Sequence, residues 1–220
     1  MIDVYFVDVN VVDDVVEALV KLLTPSERAR AEGYRFPHDR RRSIVARAAS
    51  RQLLGRYLAR DPATLLIDEE EFGKPFLRGR EFEFNVSHSG DLVALAFTKE
   101  TPVGVDVERR RELSDALALA QRYFSAEEVA IVERAADAGE AFFAIWTAKE
   151  AIVKASGKGI GSGDLHSFTV PFRDPQLRPV IDGWSVAAID PNRDGYFAAV
   201  AARDGERRIA TKVITAGALL

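Results

Sequence analysis

The sequence predicts an α+β fold made of two similar lobes. Three observations predict it. The outer parts of 81–97 alternate apolar and polar residues, as half-buried strands do, 101–108 sets valines against acids, and 1–9 and several stretches of the C-terminal tail are strand-like as well. Two long segments, 39–58 and 140–156, carry helical periodicity instead. Finally, GDLVALAFTKE (90–100) is similar to DGYFAAVAARD (194–204), each a turn, an apolar strand and a charged turn. A helix followed by a hairpin thus occurs twice, and a boundary near residue 105 divides the chain into lobes 1–105 and 106–220.

In chain order, residues 1–9 read as a first strand and 13–23 as a helix. TPSERARA opens the next helix, with Thr24 or Ser26 as N-cap and Pro25 in the first turn. After Pro37 a long helix covers 39–58. Ile44, Ala48, Leu53, Leu54 and Tyr57 form its apolar stripe, with arginines beside it, until Asp61-Pro62 ends it. Residues 64–71 read as a short strand, followed by Gly73-Lys74-Pro75 and a hairpin over 81–97. The hairpin's N-V-S-H-S-G stretch is expected to form its tight turn. TPVGVDVE (101–108) is a further strand and 113–124 a helix. Ser125 with Glu128 three residues on is a capping box that starts another. The helix 140–156 stops at Gly157, and GKGIGSGD follows as a loop. HSFTV, WSVAAI, GYFAAVAA and RRIATKVI are strand-like.

Composition bounds the function. The chain has 220 residues, 47% hydrophobic and 29% charged, as in an ordinary globular protein. No apolar run approaches the roughly 20 residues of a membrane helix. The opening MIDVYFVDVN lacks the basic region of a secretory signal, so a cytoplasmic location is expected. There are no cysteines, which excludes disulfides, thiolate nucleophiles and cysteine zinc sites. Formal net charge is −4, yet ten arginines fall between Arg28 and Arg60 against only Glu32 and Asp39. This describes either a local anion site or a solvated helix face, and no nucleic-acid recognition motif accompanies it.

Two constellations carry candidate chemistry. In GVDVE, Val103, Val105 and Val107 face one way while Asp106 and Glu108 face the other. Acids are poor strand residues, so the pair is either a solvated strand end or a site for a hard cation such as Mg2+. In WTAKEAIVK, Trp146, Glu150 and Lys154 share a helix face at i, i+4, i+8, with Lys149 beside them. That spacing also fits a plain Glu–Lys pair. The glycine run 157–163 is not a phosphate loop, because Gly159 stands where Ser or Thr is required, and it follows a helix, unlike a dinucleotide fingerprint. Glu128 is either a cap or a carboxylate base. His38 and His166 have no metal-ligand partners at useful spacing.

The order NVSHSG, VGVDVE, FSAEE, WTAKEAIVKASGKG resembles the 4'-phosphopantetheinyl transferases of the larger, two-lobed class. The resemblance implies two α+β lobes in pseudo-twofold relation with the active site between them. It implies transfer of the phosphopantetheine arm of coenzyme A to a serine of an apo acyl or peptidyl carrier protein, with release of 3',5'-ADP. By position, Asp106, Glu108 and Glu150 correspond to ligands of Mg2+, with Mn2+ an admissible substitute. Lys154 corresponds to a pyrophosphate contact that also assists the leaving group. Arg42 corresponds to a grip on the 3'-phosphate, with Arg47 as helper. Lys74, Ser87 and His88 correspond to coenzyme A contacts. The carrier serine is the nucleophile, so its proton needs an acceptor: Glu150, directly or through water, or else Glu128. A cytoplasmic monomer is implied, with neither nucleic acid nor membrane as partner.

In one segment the sequence departs from the family. Glu27 stands in SERAR where a basic residue is expected, leaving the roles of Arg28 and Arg30 open. A nucleotide-dependent phosphotransferase, a non-catalytic coenzyme A- or carrier-binding protein and a basic nucleic-acid module are the rival readings. The first needs a phosphate loop, and the complete acid triad speaks against the second.

Overall fold

The computed structural model describes residues 1–99, 101–157, 165–203 and 208–220. Strand β1 (Ile2–Asp8) leads into three helices, α1 (Asp13–Val20), α2 (Pro25–Glu32) and α3 (Pro37–Leu58). A small hairpin, β2 (Ile67–Glu69) with β3 (Pro75–Leu77), precedes a larger one, β4 (Glu83–Ser89) with β5 (Leu92–Thr98). The pattern then recurs. Strand β6 (Val103–Arg109) leads into α4 (Ala116–Tyr123), α5 (Ala126–Arg134) and α6 (Ala138–Ser156). Strands β7 (Arg178–Ile181), β8 (Trp184–Ile189), β9 (Tyr196–Arg203) and β10 (Ile209–Thr215) complete the chain.

Each lobe lays its first strand against its last hairpin. The first sheet runs β10-β1-β5-β4 and the second β6-β9-β8-β7. Strand alternation sorts the side chains into layers. One face of the first sheet packs on α1–α3 through residues such as Phe84, Leu95 and Phe97. One face of the second packs on α4–α6 through Val186, Ala199 and Ala201. The remaining faces meet in a shared core, where Val4, Phe6 and Ala94 form one buried cluster with Val103, Val105 and Val200. The repeat read from the sequence is therefore structural, joining β4–β5 with β8–β9.

The helix starts follow from capping. Thr24, not Ser26, is the N-cap of α2, and its reciprocal partner is Glu27. Ser125 and Glu128 cap α5 in the same way. Gly157 ends α6 in the left-handed conformation at φ 70°, which glycine adopts without Cβ strain. The glycine loop beyond it, residues 158–164, lies outside the described residues, as do the ends of the repeated segment at 100 and 204.

Three expectations are corrected. The lobe boundary near residue 105 would cut β6, which begins at Val103, and β10 pairs in parallel with β1 of the first lobe. The second lobe thus reaches from β6 to β9 only. HSFTV is not a strand. It holds a 3-10 turn, Leu165–Ser167, because the carbonyls of Leu165 and Phe168 turn inward to accept hydrogen bonds from Lys149 Nζ at 2.6 and 2.5 Å. The third correction concerns the hairpin turn. It is Gly90-Asp91, so Ser87 and His88 stand on β4 itself. No helix among the described residues is long and apolar enough to cross a membrane.

Candidate active site at the seam between the lobes

Strands β4 and β6 are edge strands of different sheets, and they meet without backbone pairing. Side chains bridge them. The N–H of Val105 donates to Asn85 Oδ1 at 3.0 Å, that of Val107 to Ser87 Oγ at 3.4 Å and that of Arg109 to Ser89 Oγ at 3.0 Å. The period of two on β4 thus matches the period of two on β6. The serine hydroxyls pass the contact on. Ser87 Oγ donates to Asp106 Oδ1 and Ser89 Oγ to Glu108 Oε2, both at 2.8 Å.

Helix α6 closes over these acids because Gly104 lets it. A Cβ at that position would stand 2.1 Å from the Ala151 carbonyl oxygen and 2.3 Å from the Ala155 nitrogen. The close approach brings Glu150 and Lys154 to Asp106 and Glu108. Lys154 Nζ donates to Asp106 Oδ1 at 2.6 Å and to Ser87 Oγ at 2.8 Å. Glu150 is 3% exposed, and burial pushes its carboxyl up to about 7, with Asp106 and Glu108 adding repulsion and Lys154 opposing. Burial and then Asp106 raise Glu108 as well, against the hydrogen bond from Ser89.

Among the described residues no group of three metal-ligating side chains stands as an assembled ion site. The local chemistry nevertheless fits a hard cation. Asp106 Oδ2 and Glu150 Oε1 are buried without a hydrogen-bond partner, and three carboxylates share one ammonium.

A cleft of about 410 Å3 opens beside the acids, lined by Phe72, Gly73, Lys74, Glu150, Lys154 and Gly157 among others. Lys74 reaches in from the β2–β3 turn and donates to the Ala155 carbonyl at 2.9 Å, and burial draws its pKa down. At the far end of β4, His88 is exposed on the face opposite the serines. Desolvation by surrounding protein lowers its pKa, and the Arg42 and Lys154 cations add to that. Arg42 donates to the Gly90 carbonyl at 3.4 Å and pairs with Asp39. A larger cavity of about 830 Å3, bordered by Arg109–Ser114 and Ala136–Gly139, contains none of the candidate residues.

The model of the 4'-phosphopantetheinyl transferase superfamily matches residues 102–201, and that of the 4'-phosphopantetheinyl transferase N-terminal region matches 11–100. The chain is 35% identical over 189 residues to the 4'-phosphopantetheinyl transferase HetI of Nostoc sp. (strain PCC 7120), covering 83% of this chain and 79% of that one. The chain belongs to the 4'-phosphopantetheinyl transferase superfamily. It is also 38% identical over 157 residues to the transferase psf-1 of Bacillus pumilus, covering 70% of this chain and 66% of that one. To the transferase Sfp of Bacillus subtilis (strain 168) it is 29% identical over 157 residues, covering 70% of this chain and 68% of that one.

Within this transferase the structure groups Asp106, Glu108, Glu150, Lys154 and Ser87 at one point, with Lys74 at the cleft and Arg42 and His88 beyond. Two expected residues lie elsewhere. Arg47 turns to Glu69 at 2.9 Å and Glu27 at 3.6 Å. Glu128 is withdrawn as an alternative base because its carboxylate is fully engaged. Oε2 accepts the Ser125 N–H and pairs with Lys149, both at 2.8 Å, and Oε1 accepts the Val170 N–H at 2.8 Å. Ser87 reaches Asp106 and Lys154, which makes it part of the acid cluster instead of an open turn. Glu27, the apparent departure, is structural, receiving Arg51 in two hydrogen bonds of 2.7 and 3.0 Å. Sequence reasoning overlooked Asn85 and Ser89. Their signal was present as N-x-S-x-S facing D-x-E, two strands polar at the same period.

Proposed function

We propose that this transferase moves the 4'-phosphopantetheine arm of coenzyme A onto a serine of an apo acyl or peptidyl carrier protein, releasing 3',5'-ADP with Mg2+ as the required ion. The observation that carries the reading is the meeting of Asp106 and Glu108 on β6 with Glu150 and Lys154 on α6, beside the seam, with two buried carboxylate oxygens unpartnered. Asp106, Glu108 and Glu150 would hold the ion. When bound, a divalent cation neutralises charge on the pyrophosphate oxygens.

The remaining chemistry belongs to side chains. Lys154 and Lys74 border the cleft from opposite lobes and bind the pyrophosphate between them. Arg42 and His88 receive the 3'-phosphate end. The carrier serine Oγ attacks the phosphorus that bears the pantetheine arm. The bond from that phosphorus to the bridging oxygen breaks, and 3',5'-ADP departs with the electron pair. Lys154 stabilises the departing charge, and Glu150 takes the serine proton. This reading includes a monomer acting in the cytoplasm.

The test is incubation with coenzyme A, Mg2+ and an apo carrier protein, followed by intact mass of the carrier. One added phosphopantetheine is expected, lost with a serine-to-alanine carrier and with Asp106→Ala. Full transfer by a folded Asp106→Ala variant would remove the acids from the reaction.

A further inference from the structure

The seam assigns work to a residue outside the candidate set. A serine hydroxyl has one hydrogen to donate and lone pairs to accept with. The Arg109 N–H occupies Ser89 Oγ from one side at 3.0 Å, so the hydroxyl hydrogen is left for Glu108 Oε2 at 2.8 Å. Ser87 repeats the arrangement one pleat earlier, with the Val107 N–H and Asp106 Oδ1. The rung before that differs on both strands. Asn85 accepts the Val105 N–H through its amide oxygen, and the residue preceding Val105 is Gly104, which has no side chain to orient. Serine therefore stands where a carboxylate must be aimed, and asparagine where only a backbone N–H must be satisfied.

We propose that Ser89 is a positioning residue for divalent-cation binding. Its hydroxyl, anchored by the Arg109 N–H, fixes the carboxylate of Glu108, so that packing between β4 and β6 sets the geometry of the ion site. The inference rests on the reading above, in which Asp106, Glu108 and Glu150 hold the cation.

The measurement is Mn2+ binding to the full chain with coenzyme A present, read from water-proton relaxation, together with melting temperature. Ser89→Thr and Ser89→Val have nearly the same shape and differ in the hydroxyl. Ser89→Thr is expected to bind Mn2+ like the parent and Ser89→Val about fivefold more weakly, the worth of one net hydrogen bond. Equal affinities in the two variants, high or low, overturn the inference. If valine lowers the melting temperature, Ser89→Ala replaces it in the same comparison with Ser89→Thr. Asp106→Ala separates the two levels of failure. If the parent takes up no Mn2+, or Asp106→Ala binds as the parent does, the acid reading falls and the inference with it. If Asp106→Ala loses Mn2+ while Thr and Val bind alike, the inference alone falls.

Discussion

Lys149 and Glu150 are adjacent on α6 and face different tasks. Lys149 is fully buried against Glu128 at 2.8 Å and two backbone carbonyls, while Glu150 turns to Asp106. Lys149→Met would leave Glu128 charged, buried and unpaired, a loss of about 3–5 kcal/mol. A correspondingly lower midpoint in urea is expected. Glu150→Gln removes a charge that its surroundings resist, so it is expected to melt no lower than the parent while losing transfer activity. Glu27 gives a pH signature. Burial opposes its ionisation, but the Arg51 hydrogen bonds, the Thr24 N–H and the Arg47 charge outweigh that and lower its pKa. The stabilisation is present above the unfolded carboxyl value of about 4.3 and is lost as pH falls through the lower folded value. Glu27→Gln should be less stable near neutrality and less acid-sensitive, which urea unfolding from about pH 6 to pH 3 checks. The local cap at Glu27 was legible, since Thr24 is three residues away. Its partner Arg51 was not, because no local pattern announces a contact 24 residues distant.

At the scale of elements, β6 and α6 work as a pair whose spacing Gly104 sets. Gly104→Ala would press a methyl into the backbone of Ala151 and Ala155, which cannot rotate away as a side chain can. A cost of about 1–3 kcal/mol is expected. Transfer should fall further than stability alone explains, since Asp106 and Glu108 ride on one element and Glu150 and Lys154 on the other. Retained far-ultraviolet dichroism with a lower melting temperature and slowed transfer would bear this out. The alternating strands β4 and β6 and the continuous apolar runs of β5 and β9 were readable as strands. HSFTV misled because the buried Lys149 ammonium gathers the carbonyls of Phe168 within it and of Leu165 just before it, and β7 was passed over because Pro179 and a register shift break its pattern.

At the scale of the molecule, one device appears twice. A capped glutamate, Glu27 or Glu128, holds a buried cation on the long helix, Arg51 or Lys149, which also gathers two carbonyls, of Pro62 and Leu65 or of Leu165 and Phe168. The sequence hinted at duplication only through its hairpins, because arginine in one copy and lysine in the other hide the likeness. Despite the duplication, the halves are not independent. They share the core between the sheets, and β10 completes the sheet of the first lobe. A single calorimetric transition is expected, with calorimetric and van't Hoff enthalpies in agreement. Two resolved transitions would contradict it.

The parallel pairing of β10 with β1 also bears on how the chain is made. During translation the outer edge of β1 waits for a strand that emerges only after the whole second lobe. At ordinary elongation rates this lasts on the order of ten seconds. Throughout that interval the nascent first lobe displays an unpaired edge that the finished molecule covers, open to a chaperone or to a neighbouring nascent chain on the same message.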